Sequence, residues 1–294
     1  MDREKRNYPF KLLCRVMEVS AGGYYAWRKR LTKPPCSRRQ NLKHLVRNCY
    51  FENRRRYGSR RIQKALGKSG VRIGRCKVRR LMTEEGLKAI QAKAFKPQTT
   101  DSKGTTTAPN LLANIKLEEC AAAKIIIGDI TYIRFRGGRF CYLAVWQDKV
   151  TRRIIGWSLS LEMTAELVIS ALQKAIRKGL IKAGAIVHSD RGSQYASNGF
   201  RLLLQQNNLR QSMSGKGNCY DNAQAESFFS RFKAELIEGG VFEDLEQARS
   251  EIFSYIEGYY NRVRLHSSLG YKSPMEFEME LKTKKGGNER QFFV

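Results

Sequence analysis

Acids and histidines are both scarce in this sequence. Its 294 residues include 27 Asp and Glu against 55 Lys and Arg, and only 3 His. His44, His188 and His266 form no short-spaced pair with cysteine of the zinc-ligating kind. The seven cysteines (Cys14, Cys36, Cys49, Cys76, Cys120, Cys141 and Cys219) include no CxxC. A structural zinc site is therefore not expected. An odd number of cysteines at irregular spacing fits reduced, mostly buried thiols rather than a disulfide framework. Long apolar runs are also missing: none approaches the roughly 20 residues that cross a bilayer. The opening MDREKRNYPF leads into no apolar stretch of signal-peptide length. These absences exclude a membrane protein and a disulfide-stapled secreted one, and the expected location is the cytoplasm of a prokaryotic-type cell.

The shortage of negative charge is uneven. Residues 1–100 carry 28 Lys and Arg against 6 Asp and Glu, so +22 of the formal net charge of +28 lies in the first third. Such a region calls for a polyanion, because each Lys or Arg set on a phosphate releases condensed counterions. Composition alone does not separate a sequence-specific DNA binder from a ribosome-associated protein. Hydrophobic residues, 41% of the chain, suffice for a folded protein, and the length allows one sizeable core with a smaller accessory domain.

The pattern along the chain is more specific. Residues 1–40 read as an N-terminal helix-turn-helix-like segment. Phe10, Leu13, Val16 and Met17 recur at helical spacing, and Ser20 is placed to cap a second helix bearing Tyr24, Tyr25, Trp27 and Arg28. Residues 41–95 read as a helix-turn-helix DNA-binding domain of three helices. The first carries Leu42, Leu45, Val46 and Cys49, and the second starts at Ser59 and carries Ile62 and Leu66. The third turns Val78, Leu81 and Met82 inward and is the candidate recognition helix, with Arg75, Lys77, Arg79 and Arg80 facing elsewhere. Arg54, Arg55, Arg56, Arg60 and Arg61 are expected on phosphates, contacts that position a protein without specifying sequence. Residues 96–123 form a linker, rich in Thr, Gly and Pro over 96–112.

From 124 to 282 the pattern is α/β. Ile125-Ile126-Ile127 opens a strand that continues to Phe135, Gly137-Gly138 turns it, and strands at 140–148 and 153–161 follow. Thr164 is expected to cap a helix through Ile176. A short strand then ends at Asp190, a helix and a strand lead to Met213, and helices from about Asp221 to Ile237 and Leu245 to Tyr260 complete the domain. Three hairpin-type strands followed by alternating helices and strands are the order of an RNase H-like mixed five-stranded sheet with flanking helices. The tail, 283–294, is expected to be disordered.

Three acids fall where a metal site needs them. Asp129 follows the apolar run of the first strand, Asp190 ends the short buried strand, and Glu226 borders the apolar stripe Ala225, Phe228, Phe229, Phe232 and Leu236 of the long helix. Lys233 lies two turns along the same helix face, placed to hold a DNA phosphate. Asp221 and Gln224 look like a capping pair. Phosphodiester transfer needs two divalent cations stabilising the attacking and leaving oxygens of an in-line displacement. Carboxylates suit magnesium, with manganese able to substitute. Asp129 is assigned as the ligand shared by two ions, with Asp190 and Glu226 each completing one. Water is the nucleophile for cleavage and a DNA 3′-hydroxyl for joining. Asp148 is given a structural role ahead of one as a fourth ligand, and His188 a packing or hydrogen-bonding role at least as readily as a catalytic one. His266, with Asn261 and Arg264, is expected to brace the C-terminal helix or contact DNA, and Trp146 and Trp157 are placed in the core.

These residues carry a family resemblance. GDITYI at 128–133, HSDRGSQY at 188–195 and DNAQAESFFSRFKAEL at 221–236 resemble the three catalytic blocks of DDE insertion-sequence transposases related to retroviral integrases. YNRVRLHSSLGYKSP at 260–274 resembles their closing segment, and YGSRRIQKAL at 57–66 their helix-turn-helix region. The likeness runs from about Phe10 to Phe277 and is nearest to the downstream-frame (OrfB-type) product. It implies a DNA transposase that cuts and joins double-stranded DNA at the terminal inverted repeats of its element. Asp129, Asp190 and Glu226 match the catalytic and metal-binding triad, Lys233 matches the basic residue two turns beyond, and Lys216 falls in an active-site loop. Arg191, beside Asp190, is counted with the DNA contacts. A homo-oligomer, an upstream-frame (OrfA-type) partner or fusion, and residence at the nucleoid are implied. Leu265 stands where proline is common. The competing expectations are an RNase H-like nuclease that cuts without joining, and a DNA-binding regulator with an inactive catalytic fold.

Overall fold

The computed structural model describes residues 3–32, 37–91, 108–113, 115, 121–215, 223–237 and 242–289. Five α-helices precede the first strand among them, after a 3-10 turn at Glu4–Arg6: α1 (Phe10–Val16), α2 (Ala21–Thr32), α3 (Ser37–Glu52), α4 (Ser59–Lys68) and α5 (Arg75–Glu84). Ser20 caps α2, its hydroxyl accepting the Gly23 N–H at 3.0 Å. Helix α3 begins ahead of residue 41. Val46, Cys49 and Tyr50 of α3 meet Ile62 and Leu66 of α4 and Val78, Leu81 and Met82 of α5 in a small core. The turn between α4 and α5 includes Gly70 at φ +82°, a conformation that glycine adopts without strain.

The sheet grows from β1 (Ile125–Arg134). It pairs antiparallel with β2 (Phe140–Asp148), which pairs antiparallel with β3 (Ile154–Ser160). Helix α6 (Ala165–Arg177) crosses to β4 (Ile186–Ser189), parallel to β1. Helix α7 (Asn198–Gln206) then leads to β5 (Arg210–Met213), parallel to β4. The order β3-β2-β1-β4-β5 is the mixed five-stranded sheet expected.

Period-two alternation gives the sheet two apolar faces. Ile126, Ala144, Trp146, Ile155 and Val187 lie beneath α6 and α7. Ile133, Cys141, Leu143, Val145 and Ile154 lie beneath α8 (Ala223–Leu236) and α9 (Leu245–Phe253). Packing is tight at Gly128: a Cβ there would sit 2.2 Å from the Trp146 ring, so only glycine lets that indole cross β1 beside Asp129. Trp146 is fully buried and Trp157 half-buried.

Several local expectations are corrected. Thr164 stands at the N-cap of α6 in extended backbone, but its side chain makes no capping hydrogen bond. Helix α9 runs on as a π-helical stretch, Ser254–Tyr260, rather than as one α-helix. The last helix, α10 (Pro274–Glu289), continues into the segment expected to be a disordered tail. Of the described cysteines, Cys49 and Cys141 are buried, and burial pushes both thiols up to about 11, but Cys76 is exposed. No helix of the described residues is long and apolar enough to cross a membrane.

Candidate active site

Parallel pairing of β1 with β4 sets Ile127 opposite His188. Two residues further along each strand direction, Asp129 and Asp190 meet at the carboxyl end of β4. Asp129 is partly buried, and its Oδ1 accepts the Ile130 N–H at 2.8 Å. Asp190 keeps an exposed side, and its Oδ1 accepts the Gly192 N–H at 2.9 Å. Glu226 is exposed in the first turn of α8, the helix that packs across this end of β1.

Electrostatics tie the three together. Burial, then the Asp190 charge, pushes the Asp129 carboxyl up to about 8; the Ile130 N–H works against this, Glu226 raises it further, and Lys233 offsets part of it. Burial also raises Asp190, against the Gly192 hydrogen bond. Lys233 is lowered by burial while Asp129 opposes that shift. Its Nζ lies 4.3 Å from the Tyr132 ring centroid, so the amine is held against the aromatic face beside the acids.

This donor set fits divalent cations. Three carboxylates that repel one another in a partly dry site favour a bound positive charge, and all-oxygen ligands suit magnesium or manganese. Beneath them Tyr195 is buried, and its hydroxyl has no hydrogen-bond partner among the described residues. Burial and then the charges of Asp190 and Asp129 hold that phenol well above its usual range. An orphaned hydroxyl beside two carboxylates is a donor available to a ligand or its water. Among the described residues no three Asp, Glu, His or Cys side chains already enclose a cation site. The three acids lie near enough for charge to act on Asp129 without forming a closed cage.

The neighbouring acids and histidines have other work. Asp148 Oδ1 accepts the Val150 and Thr151 N–H groups and the Thr151 hydroxyl, and its Oδ2 accepts the Ala123 N–H, so it braces the β2–β3 turn. His188 is buried between the Ser212 and Ser214 hydroxyls at 2.8 and 3.1 Å. Gln224 donates to the Asp148 carbonyl at 3.4 Å. Its expected capping partner Asp221, and Lys216, lie outside the described residues.

The expected DNA contacts divide. Arg54, Arg55 and Arg60, and Arg75, Lys77, Arg79 and Arg80 on α5, are exposed. Arg56 is not: it is 6% exposed, its Nε donates to the Glu235 carbonyl at 3.2 Å, and its guanidinium lies 4.4 Å from the Tyr259 ring centroid. Arg61 is half-buried, 3.8 Å from Glu235 Oε1. Both are turned into the protein, which removes Arg56 from the phosphate-contact role and leaves Arg61 little surface for one. Arg191 Nε donates to the Ser214 carbonyl at 2.8 Å, bracing the loop after β4. Glu235 was missed as a functional residue, although it lies three residues beyond Phe232 and seven beyond Phe228, on the apolar stripe where a buried acid needs a partner.

Comparison with known proteins gives the family of the chain. The Integrase core domain family matches residues 121–219 and, in a second description, 207–274, and the HTH-like domain family matches 37–95. These define an integrase-core polynucleotidyl transferase preceded by a helix-turn-helix-like domain, a class that depends on divalent metal ions. The chain is 38% identical over 280 residues to the transposase InsF for insertion sequence IS3A of Escherichia coli (strain K12), covering 95% of this chain and 96% of that protein. It is 38% identical over 268 residues to the insertion element IS600 uncharacterized 31 kDa protein of Shigella sonnei, covering 90% and 97%. A solved HTLV-2 integrase catalytic core domain in complex with magnesium is 16% identical, over 53% of this chain and 97% of that one, with a TM-score of 0.40. The chain belongs to the IS3-family insertion-sequence transposases, enzymes that act on DNA.

Proposed function

We propose that Asp129, Asp190 and Glu226 are the catalytic triad of this transposase and would hold two magnesium ions, with manganese able to substitute. The observation that carries this is the placement of Asp129 on β1, Asp190 just past β4, and Glu226 and Lys233 on α8, close enough for the charges of the other three to act on the Asp129 carboxyl. When bound, the ions would stabilise the attacking and leaving oxygens of an in-line displacement at phosphorus. Lys233, fixed against Tyr132, is placed to hold a phosphate of the reacting strand. Arg191 adds charge to that side of the site, and Lys216, outside the described residues, is proposed as a further DNA contact from its sequence position alone.

Upstream, the exposed cations Arg54, Arg55, Arg60, Arg75, Lys77, Arg79 and Arg80 bind the element's terminal inverted repeat, with α5 entering the groove. Residues 1–40 and 41–95 are the DNA-binding segments, 96–123 the connection and 124–282 the catalytic domain. Cutting and joining paired ends calls for a homo-oligomer, acting alone or with an upstream-frame (OrfA-type) product, at the nucleoid.

A joining assay tests the triad. Labelled duplexes carrying the terminal repeat are incubated with the protein and Mg²⁺ or Mn²⁺, beside Asp129→Asn, Asp190→Asn and Glu226→Gln. The expected result is joined product that needs the metal and all three acids, with repeat binding retained by every variant. Turnover at the wild-type rate by any of the three would remove that residue from the site.

A further inference from the structure

The catalytic helix α8 has two functional sides. Glu226 and Lys233 lie on the side of the acids. Glu235, nine residues after Glu226, is about half a turn round and ~14 Å along the axis. It is 7% exposed, and it is held from both halves of the molecule. From the catalytic half, Arg264 Nη2 donates to Oε1 at 2.7 Å, its Nε reaches both carboxylate oxygens, and the Tyr255 hydroxyl donates to Oε2 at 3.0 Å. From the DNA-binding half, Arg61 approaches Oε1 at 3.8 Å and Arg56 donates to the Glu235 carbonyl at 3.2 Å.

A second contact lies beside the first. The Tyr57 hydroxyl accepts the Leu265 N–H at 3.1 Å and donates to the Val263 carbonyl at 3.1 Å. Leu265 itself is buried in the core of α3, α4 and α5. Lys68 and Glu276 pair at 2.9 Å on the rim. The YGSRRIQKAL and YNRVRLHSSLGYKSP segments, which neither chemistry nor base recognition explains, are thus the two faces of one buried joint.

We propose that this joint, centred on Glu235, Arg264 and Tyr57, is the enzyme's ruler: it fixes the DNA-binding unit on the catalytic helix and so sets the phosphodiester that is cut by its distance from the recognised sequence. Glu235, Arg264 and Tyr57 are positioning residues and touch no reacting atom. Two groups on one rigid helix, one facing the acids and one gripping the recognition unit, transmit position without needing the intervening chain to define it. The inference rests on the active-site assignment above. Wild-type cutting that survives Glu226→Gln would sink that assignment and leave the ruler untouched.

The test reads the cut position at nucleotide resolution on a labelled terminal repeat, with the full chain. One variant lengthens the connection by a Gly-Ser insert between residues 100 and 101. A second, Tyr57→Phe with Arg61→Gln, loosens the joint and leaves Glu235 and Arg264 paired. The third combines them. The expected result is one unmoved cut position for the insert alone, a spread of positions for the loosened joint at unchanged repeat binding, and a wider spread for the combination. A cut that shifts with the insert alone, or one that stays single in the loosened variant, would overturn the proposal. If the loosened variant loses repeat binding, the insert alone still decides.

Discussion

Asp129 and Glu235 are both acids shielded from solvent, one on β1 and one on α8, and their surroundings drive them in opposite directions. Burial and then Asp190 raise Asp129 to about 8. Burial opposes the charge of Glu235 too, but hydrogen bonds and charge from Arg264, with help from Arg61 and Tyr255, outweigh it and leave the carboxyl below its usual range. Among the described residues, Lys233 alone offsets the charges of Asp190 and Glu226 on Asp129, while Glu235 is paired with Arg264 and approached by Arg61. That contrast separates a cluster whose charges suit a bound cation from a joint whose charges are matched within the protein. His266 belongs to the joint. It is 7% exposed, with Nε2 3.4 Å from Arg264 Nη1 and its ring edge-on to Tyr260. Burial, then Arg264, Arg61 and Arg152, pushes it down to about 2 from an ordinary 6.5. Because the folded state holds the neutral ring, its contribution to stability is complete above about pH 6.5. It is lost as pH falls below that value, by up to about 1.4 kcal/mol per pH unit, because the unfolded chain binds the proton first. His266→Gln should therefore lose less stability than wild type between about pH 6.5 and 5 in urea titrations. Equal slopes would mean that His266 is not held neutral.

At the scale of elements, legibility followed local physics. Strands β1 and β2 were visible because apolar runs bounded by Gly-Gly state their own period. Of the proposed triad, Asp190 stood out because it closes a short apolar run, whereas Asp129 lies mid-strand in β1 and is marked only by the three isoleucines ahead of it. The stripe of α8 was visible from its phenylalanines. The π-helical turn at Ser254–Tyr260 was not, since i+5 bonding leaves no distinct residue pattern. The fates of the arginines were also hidden: Arg54, Arg55 and Arg56 are one run in sequence, and only docking against Tyr255 and Tyr259 turns Arg56 inward. The distinction is measurable. Replacing Arg75, Lys77, Arg79 or Arg80 by Ala should flatten the slope of log binding constant against log salt by about 0.9 for each phosphate no longer neutralised. Arg56→Ala should leave that slope unchanged and lower the melting temperature. A slope that falls for Arg56→Ala as it does for the α5 variants would return Arg56 to the DNA surface.

For the whole molecule, the size of the helical unit is decisive. Residues 37–91 form a domain at the small end of the range, where the buried fraction of surface is low and stability marginal. Its core takes in Leu265 and packs against Tyr259 and Tyr271, all from the far end of the chain. Much of its stability is therefore shared with the catalytic domain, and the two should unfold together. Glu235→Gln leaves Arg264 buried without its counter-charge, and breaking a buried pair in this way costs about 3–5 kcal/mol. That loss falls at the joint, where it lowers the coupling between units more than the sheet core beneath α6 and α7. Calorimetry at fixed scan rate should show one transition for the wild type. For Glu235→Gln it should show two, with the helical unit melting first. A single transition moved down as a whole would place the Glu235 network in the catalytic core alone. The helical unit would then owe its order to its own packing, and the distance between recognition helix and active site would have to be set by the bound DNA.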